Sequence, residues 1–369
     1  MKTRTLALAA VMLGIAGTAT AGDTRTQSFD KAPPYANMQA LGQRLMHGLA
    51  YRDMAEQAAK DGIDLRKFSI DPREREWLVH VPAEPADNGR YGILVWLPDE
   101  DDFELPAGWA DVLDEQHLVL VAPLEAGNGD DPIFIRAAAA LFGMNGVIGE
   151  FPADPARLYV GGQESGAIVA ESLALGYGDV FSGALLVGPV SMPGGNFLPV
   201  PAPGVIDQVA QRSRFHLFGD DEDQQEAFTA AMSEKVCANA VARTEMDPDD
   251  ELSGEQLAAG IDSLSGAPRP ESLDCVLARQ NAARAGIKEV EALVQETDIR
   301  EAYQRMFDVH IEYGAIVNDR IFQLNDMMKT EFAEDYLRAQ EKFQRGGQLS
   351  NTQKNEYLEY EGSSSSGGE

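Results

Sequence analysis

Basic residues are scarce in this 369-residue sequence: 30 Lys and Arg face 60 Asp and Glu, a formal net charge of −30 at pH 7. A field of that sign repels phosphate backbones and anionic lipid, which argues against nucleic-acid partners, and it attracts cationic partners or divalent ions. Cysteine is scarcer still, with only Cys237 and Cys275. Two cysteines without a nearby histidine make a poor ligand set, so no metal site is expected. In an oxidising compartment they form one disulfide, closing a loop of about forty residues and contributing roughly 3–4 kcal/mol. The alternative is two buried free thiols. Histidine is limited to five positions, His47, His80, His117, His216 and His310, which leaves few choices for a general base. Long hydrophobic runs are missing after residue 17, so no membrane span is expected.

The one apolar run, LALAAVMLGIAG, follows Lys2 and Arg4 and precedes Ala19-Thr20-Ala21. That is the pattern of a cleavable signal peptide over residues 1–21, implying export to the periplasm or the medium. No cysteine follows the cleavage site, so no lipid anchor is expected. Residues 22–62 read as an irregular, polar lead-in followed by a helix from about 36 to 60, where Met38, Leu41, Leu45, Leu49 and Met54 recur at helical spacing.

Over 63–297 the chain has the rhythm of an α/β domain. Trp77 to Val81, GILVWLP (92–98), HLVLVAP (117–123), LYVGG (158–162), ALLVGPV (184–190), RFHLFGD (214–220) and KEVEALV (288–294) read as strands, with Asn88-Gly89 offering hairpin chemistry. Helical stretches at 132–150 and 166–176 lie between them, which predicts a doubly wound, mostly parallel sheet. Residues 244–272 are acidic and rich in Gly, Pro and Ser, and read as a surface excursion. A helical extension follows over 298–345, with Val317, Ile321, Leu324, Met328, Phe332 and Tyr336 on one face for packing on the domain or against a second copy. Residues 346–369 read as a flexible tail.

The stretch LYVGGQESGAIVA (158–170) has the shape of a nucleophile elbow, a strand turning sharply into a helix through Gly-x-Ser-x-Gly. The glycines at that spacing are Gly162 and Gly166, and the residue between them is Glu164; Ser165 stands one place late. With YGILVWLP (91–98), Gly108-Trp109, VAPLEAGN (121–128), DPARLYVGG (154–162) and GYGDVFSGALLVG (176–188), the chain resembles the secreted esterases related to polyhydroxybutyrate depolymerases and feruloyl esterases, in the α/β-hydrolase superfamily. The resemblance spans roughly residues 75–225, with a weaker continuation to 294. It implies an α/β-hydrolase-like sheet and a serine nucleophile at the position of Glu164.

The catalytic parts implied by the resemblance are then mostly altered. The acid belongs in the loop at 219–225, where Asp220, Asp221, Glu222 and Asp223 compete for the role. The base belongs just after the last strand, near 295–300, where QETDIR holds no histidine; His310 is the nearest one beyond it. The oxyanion strand ends in Leu97-Pro98 followed by DEDD (99–102), and proline has no N–H to give. A carboxylate nucleophile at Glu164 is one methylene longer than the aspartate some hydrolases use. The sequence therefore predicts an exported α/β-hydrolase-like protein without catalysis, with no cofactor, acting by binding a ligand or protein partner in its cleft. The alternatives are an esterase that uses Ser165, with an acid from 220–223 and His310, and a structural component that forms a homo-oligomer through its carboxy-terminal helices.

Overall fold

The computed structural model describes residues 22–124, 133–247, 250–270 and 272–342. The expected signal peptide and tail lie outside these residues. The lead-in is not irregular throughout: β1 (Asp23–Gln27) pairs antiparallel with β2 (Trp77–Val81) at the sheet edge. Its side chains are mostly exposed, so backbone hydrogen bonds hold it and hydropathy gives no sign of it. The single helix expected over 36–60 divides into α1 (Met38–Leu45) and α2 (Gly48–Lys60). Met46 and His47 between them have extended backbone, and Asn37 caps α1 by accepting the Ala40 N–H.

The remaining strands are β3 (Tyr91–Leu97), β4 (Leu118–Pro123), β5 (Ala153–Gln163), β6 (Gly183–Val187), β7 (Arg214–Phe218) and β8 (Val241–Thr244). They form one eight-stranded sheet in the order β1-β2-β4-β3-β5-β6-β7-β8. All pairings from β4 to β8 are parallel, and β2 runs antiparallel to β4. The Asn88-Gly89 turn forms, with Gly89 at φ +73°, but it does not join a hairpin. β2 pairs with β1 and β4, and the chain crosses over to β3.

Helices cover both faces, and the strands show why. Ile93, Val95 and Leu97 of β3 point into a core with α4 (Ile133–Glu150) and α5 (Ser165–Gly176), while Leu94 and Trp96 point into a second core. The second core is completed by α3 (Trp109–Glu115) and α8 (Gly254–Leu264). This two-sided burial is why the central strands read as unbroken apolar runs. α4 is long and apolar enough to cross a membrane by length and composition, but residues Ala137 to Met144 are buried in the first core.

Three expectations are corrected here. The acidic stretch 244–272 is not only an excursion, because α8 lies within it and buries Leu257, Ile261 and Leu264 against the sheet. Their spacing is helical, and a Ser253–Gln256 capping box starts the helix. KEVEALV is not a strand; it belongs to α9 (Leu273–Gln295), where Ala283, Gly286, Val290 and Val294 form the buried stripe. Short apolar runs fit either period, and only the longer window separates them. The last strand is the four-residue β8, and the helical part accordingly begins at Leu273.

α6 (Pro203–Arg212) and α7 (Glu222–Ala231) flank β7. α9, α10 (Ile299–Tyr313) and α11 (Asn318–Glu331) share a third core with Leu49 of α2, and the face marked by Val317, Ile321, Leu324, Met328 and Tyr336 is buried in it. A disulfide between Cys237 and Cys275, 38 residues apart, ties α9 to the sheet domain.

Candidate functional site

β5 ends at Gln163 and α5 begins at Ser165, so the chain reverses direction at one residue, Glu164. Its backbone sits at φ 50°, ψ −119°, a region that residues with a Cβ rarely adopt. The surroundings impose that conformation. A Cβ at Gly162 would collide with the backbone of Gly166, and one at Gly166 would collide with the carbonyl oxygen of Leu97 at the end of β3. The strand and helix approach so closely that only glycine fits at either position. The Glu164 N–H donates to the Val187 carbonyl at 2.8 Å, and its carboxylate stands over Gly188, where a Cβ would lie 2.7 Å from Oε1.

The strand order 1-2-4-3-5-6-7-8, with a strained residue between two tight glycines at the end of β5, decides the fold. The chain has the α/β-hydrolase fold. No family model matches the sequence, and no curated protein matches it. Among solved structures, it is similar to an S-formylglutathione hydrolase from Staphylococcus aureus at 15% identity, covering 52% of this chain and 93% of that one, with a TM-score of 0.39. It is similar to Est1E from Butyrivibrio proteoclasticus at 11% identity, over 52% and 94%, with a TM-score of 0.36. A thermostable esterase matches at 13% identity over 47% of this chain, with a TM-score of 0.37, and the chain spans about half of that esterase's length.

In this fold the backbone N–H after the elbow tip faces the oxyanion site. Here that N–H, of Ser165, donates to Asp99 Oδ1 at 3.2 Å. The Ser165 hydroxyl donates to the same oxygen, and Arg136 Nη1 donates to Ser165 Oγ at 2.8 Å. Arg136 is buried in α4 and also donates to the Pro98 carbonyl at 2.8 Å. Asp99 and Arg136 are the site residues sequence reasoning did not single out. Asp99 was one of four acids in DEDD; the signal for Arg136 is one guanidinium in the apolar helix IFIRAAAALFG.

The acid-loop candidates follow β7 as expected, but they are all exposed. Asp221 caps α7 by accepting the Gln224 N–H at 2.9 Å, and Glu222 and Asp223 lie in the first turn of that helix. The five histidines have other hydrogen bonds. His47 pairs with the Gly195 carbonyl, His80 with Thr24 and Asp114, His117 with the Glu84 carbonyl, and His216 with Ser263 and Thr244. His310, the weak base candidate, is buried within α10, and its Nε2 accepts the Leu49 N–H at 3.1 Å. Burial and the neighbouring His47 hold it neutral, with its pKa pushed down to about 4. The base position sought near 295–300 also moves: the loop after the true last strand starts at Glu245, and EMDPDDEL (245–252) contains no histidine.

Beside the elbow lies a cleft of about 450 Å³. Asp99, Glu100, Asp102, Glu104, Glu164 and Glu251 line it, with Trp96 and Trp109 packed edge to face at 4.8 Å behind them. Its lining contains no lysine or arginine among the described residues. No group of three or more His, Cys, Asp or Glu among the described residues is arranged to hold a metal ion. Glu171, on α5, is fully buried; its Oε2 accepts the Ser191 N–H at 2.8 Å, and burial pushes its pKa well above the usual carboxylate range.

Proposed function

We propose that this protein uses the α/β-hydrolase fold to bind a ligand in the elbow cleft, and that its elbow does not hydrolyse esters. The observation that carries this reading is the engagement of Ser165 by Asp99. An oxyanion donor is worth roughly 3–4 kcal/mol of transition-state stabilisation when it is free to meet developing negative charge. At Ser165 a resident carboxylate already accepts that hydrogen bond, and it would repel the oxyanion of a tetrahedral intermediate. The hydroxyl beside it donates to the same carboxylate, and its other partner, Arg136, cannot take a proton. Glu164 at the tip puts a carboxylate where the fold's serine stands. The acid-lined cleft favours cationic ligands over carboxylates and phosphates.

The test is hydrolysis of a short-chain chromogenic ester by the purified protein and by Ser165→Ala. No turnover above the buffer rate is expected from either. Turnover by the wild type that disappears in Ser165→Ala would establish the esterase reading instead. Export belongs to the same proposal and rests on the amino-terminal apolar run. Sequencing the amino terminus of protein recovered from the periplasm or medium should give a start near Gly22; recovery of intact protein only from the cytoplasm would refute it.

A further inference from the structure

Glu164 stands between two cavities of opposite character. The acid-lined cleft lies on one side. On the other is a cavity of about 790 Å³, between the start of α2, the first turns of α5 and the loop after β6. Leu45, Met46, Phe134, Ile168, Val190 and Phe197 form its apolar wall. The two spaces have no lining residue in common, and Glu164 and Gly188 stand between their linings. Glu164 lines the acidic cleft and its carboxylate stands over Gly188, while Pro189, the next residue, lines the apolar cavity. Ile168, also in that wall, lies one helical turn along α5 from Glu164.

Two backbone donors of the apolar wall are occupied, while the Nδ1 of His47, also in the lining, is buried without a hydrogen-bond partner. The Val190 N–H donates to Gln224 Oε1 at 3.1 Å, and the Ser191 N–H donates to Glu171 Oε2 at 2.8 Å. Backbone that would otherwise hold water is thereby satisfied within the protein, which leaves a surface suited to hydrocarbon. The volume lies within the roughly 300–1,000 Å³ range of small-molecule sites. Phe197, 65% exposed at the rim, is a large apolar side chain with most of its surface in solvent. No lysine or arginine among the described residues lines either space, so a carboxylate or phosphate head would find no counter-charge there.

We infer that the two cavities form one bipartite site for a cationic amphiphile, with the alkyl chain in the apolar cavity and an ammonium head at Glu164 and the carboxylates beyond it. The inference rests on the binding reading of the elbow and names its ligand class. It differs from ester recognition, because the head group is held by charge and nothing is cleaved.

The experiment is isothermal titration of the full protein with dodecyltrimethylammonium, its hexyl homologue, tetramethylammonium and dodecanoate, all below micelle-forming concentrations. One dodecyltrimethylammonium per chain is expected, bound at least about tenfold more tightly than dodecanoate. Affinity should rise by up to about fourfold per methylene as the chain lengthens. Ile168→Trp, which fills the cavity, should cost the dodecyl compound about tenfold or more while leaving tetramethylammonium unchanged. Phe197→Ala, at an exposed position, serves the same purpose without disturbing the core. Glu164→Gln should narrow the preference for cation over anion. Equal or tighter binding of dodecanoate, no dependence on chain length, or many ligands per chain insensitive to these variants would each overturn the inference. Its failure is separable from that of the binding reading: ester turnover through Ser165 sinks the latter, whereas no amphiphile binding with no turnover sinks only the former.

Discussion

The end of β5 and the loops after β7 and β8 lie at the same edge of the sheet, because these strands are parallel, yet they retain different things. At β5 the geometry of an elbow is complete: Gly162 and Gly166 in contact, and Glu164 strained between them. After β7, four exposed acids begin a helix, and after β8 the chain runs EMDPDDEL with no histidine to work with an acid. The elbow's shape is enforced by packing of β3, β5 and α5, and a side chain added at Gly162 or Gly166 meets backbone. The acids after β7 are exposed, and although the loop after β8 buries Met246 and Leu252 in the second core, the polar positions of both loops can change without disturbing the fold. A glycine pattern therefore identifies the scaffold and says little about activity.

Four variants sharpen that contrast. The largest effect is expected from Gly166→Ala, whose new Cβ has the Leu97 carbonyl in its path; about 3 kcal/mol or more should be lost, read as a shift of the urea midpoint. An unchanged midpoint would mean that the elbow is not held by steric contact. Next is His310, the residue with the wrong surroundings for a base. Its folded pKa of about 4 lies below the ordinary 6.5, so as pH falls the unfolded chain takes up the proton first. Its contribution is intact above pH 6.5 and is lost as pH falls toward 4, by about 3 kcal/mol in all. His216, with its pKa likewise pushed down to about 4 by burial, adds a loss of the same sign. The stability of His310→Gln should accordingly fall less steeply than the wild type's between pH 6.5 and 4. Equal slopes would show that His310 is not buried as a neutral acceptor.

Smaller effects follow. Asp99→Ala removes the acceptor for both the N–H and the hydroxyl of Ser165, at a cost of about 1–3 kcal/mol. A stability unchanged by that variant would mean that Asp99 does not occupy the site. Asp221→Ala loses a helix cap and should cost about 1 kcal/mol. A larger loss would give the acid loop a structural importance comparable to the elbow's.

Much of this contrast was legible in the sequence. Two-sided burial left unbroken apolar runs at β3, β4, β5 and β6, and the glycines flanking Glu164 marked the elbow. What was hidden had weak or ambiguous signals. β1 is an exposed edge strand held by backbone bonds, β8 has four residues, and KEVEALV fits strand and helix periods equally over its seven residues. α8 was obscured by acidic flanks, although Leu257, Ile261 and Leu264 carry its helical spacing. At the site, the altered residues could be read one by one. The pairing of Asp99 and Arg136 with Ser165 could not, since 66 and 29 residues separate them along the chain.

The central claim is that the elbow keeps its shape without an activated nucleophile. Mass spectrometry of the intact protein after incubation with a fluorophosphonate, for the wild type and Ser165→Ala, tests it most directly. No adduct on either protein is the expected result. A stoichiometric adduct on the wild type that is absent from Ser165→Ala would contradict it.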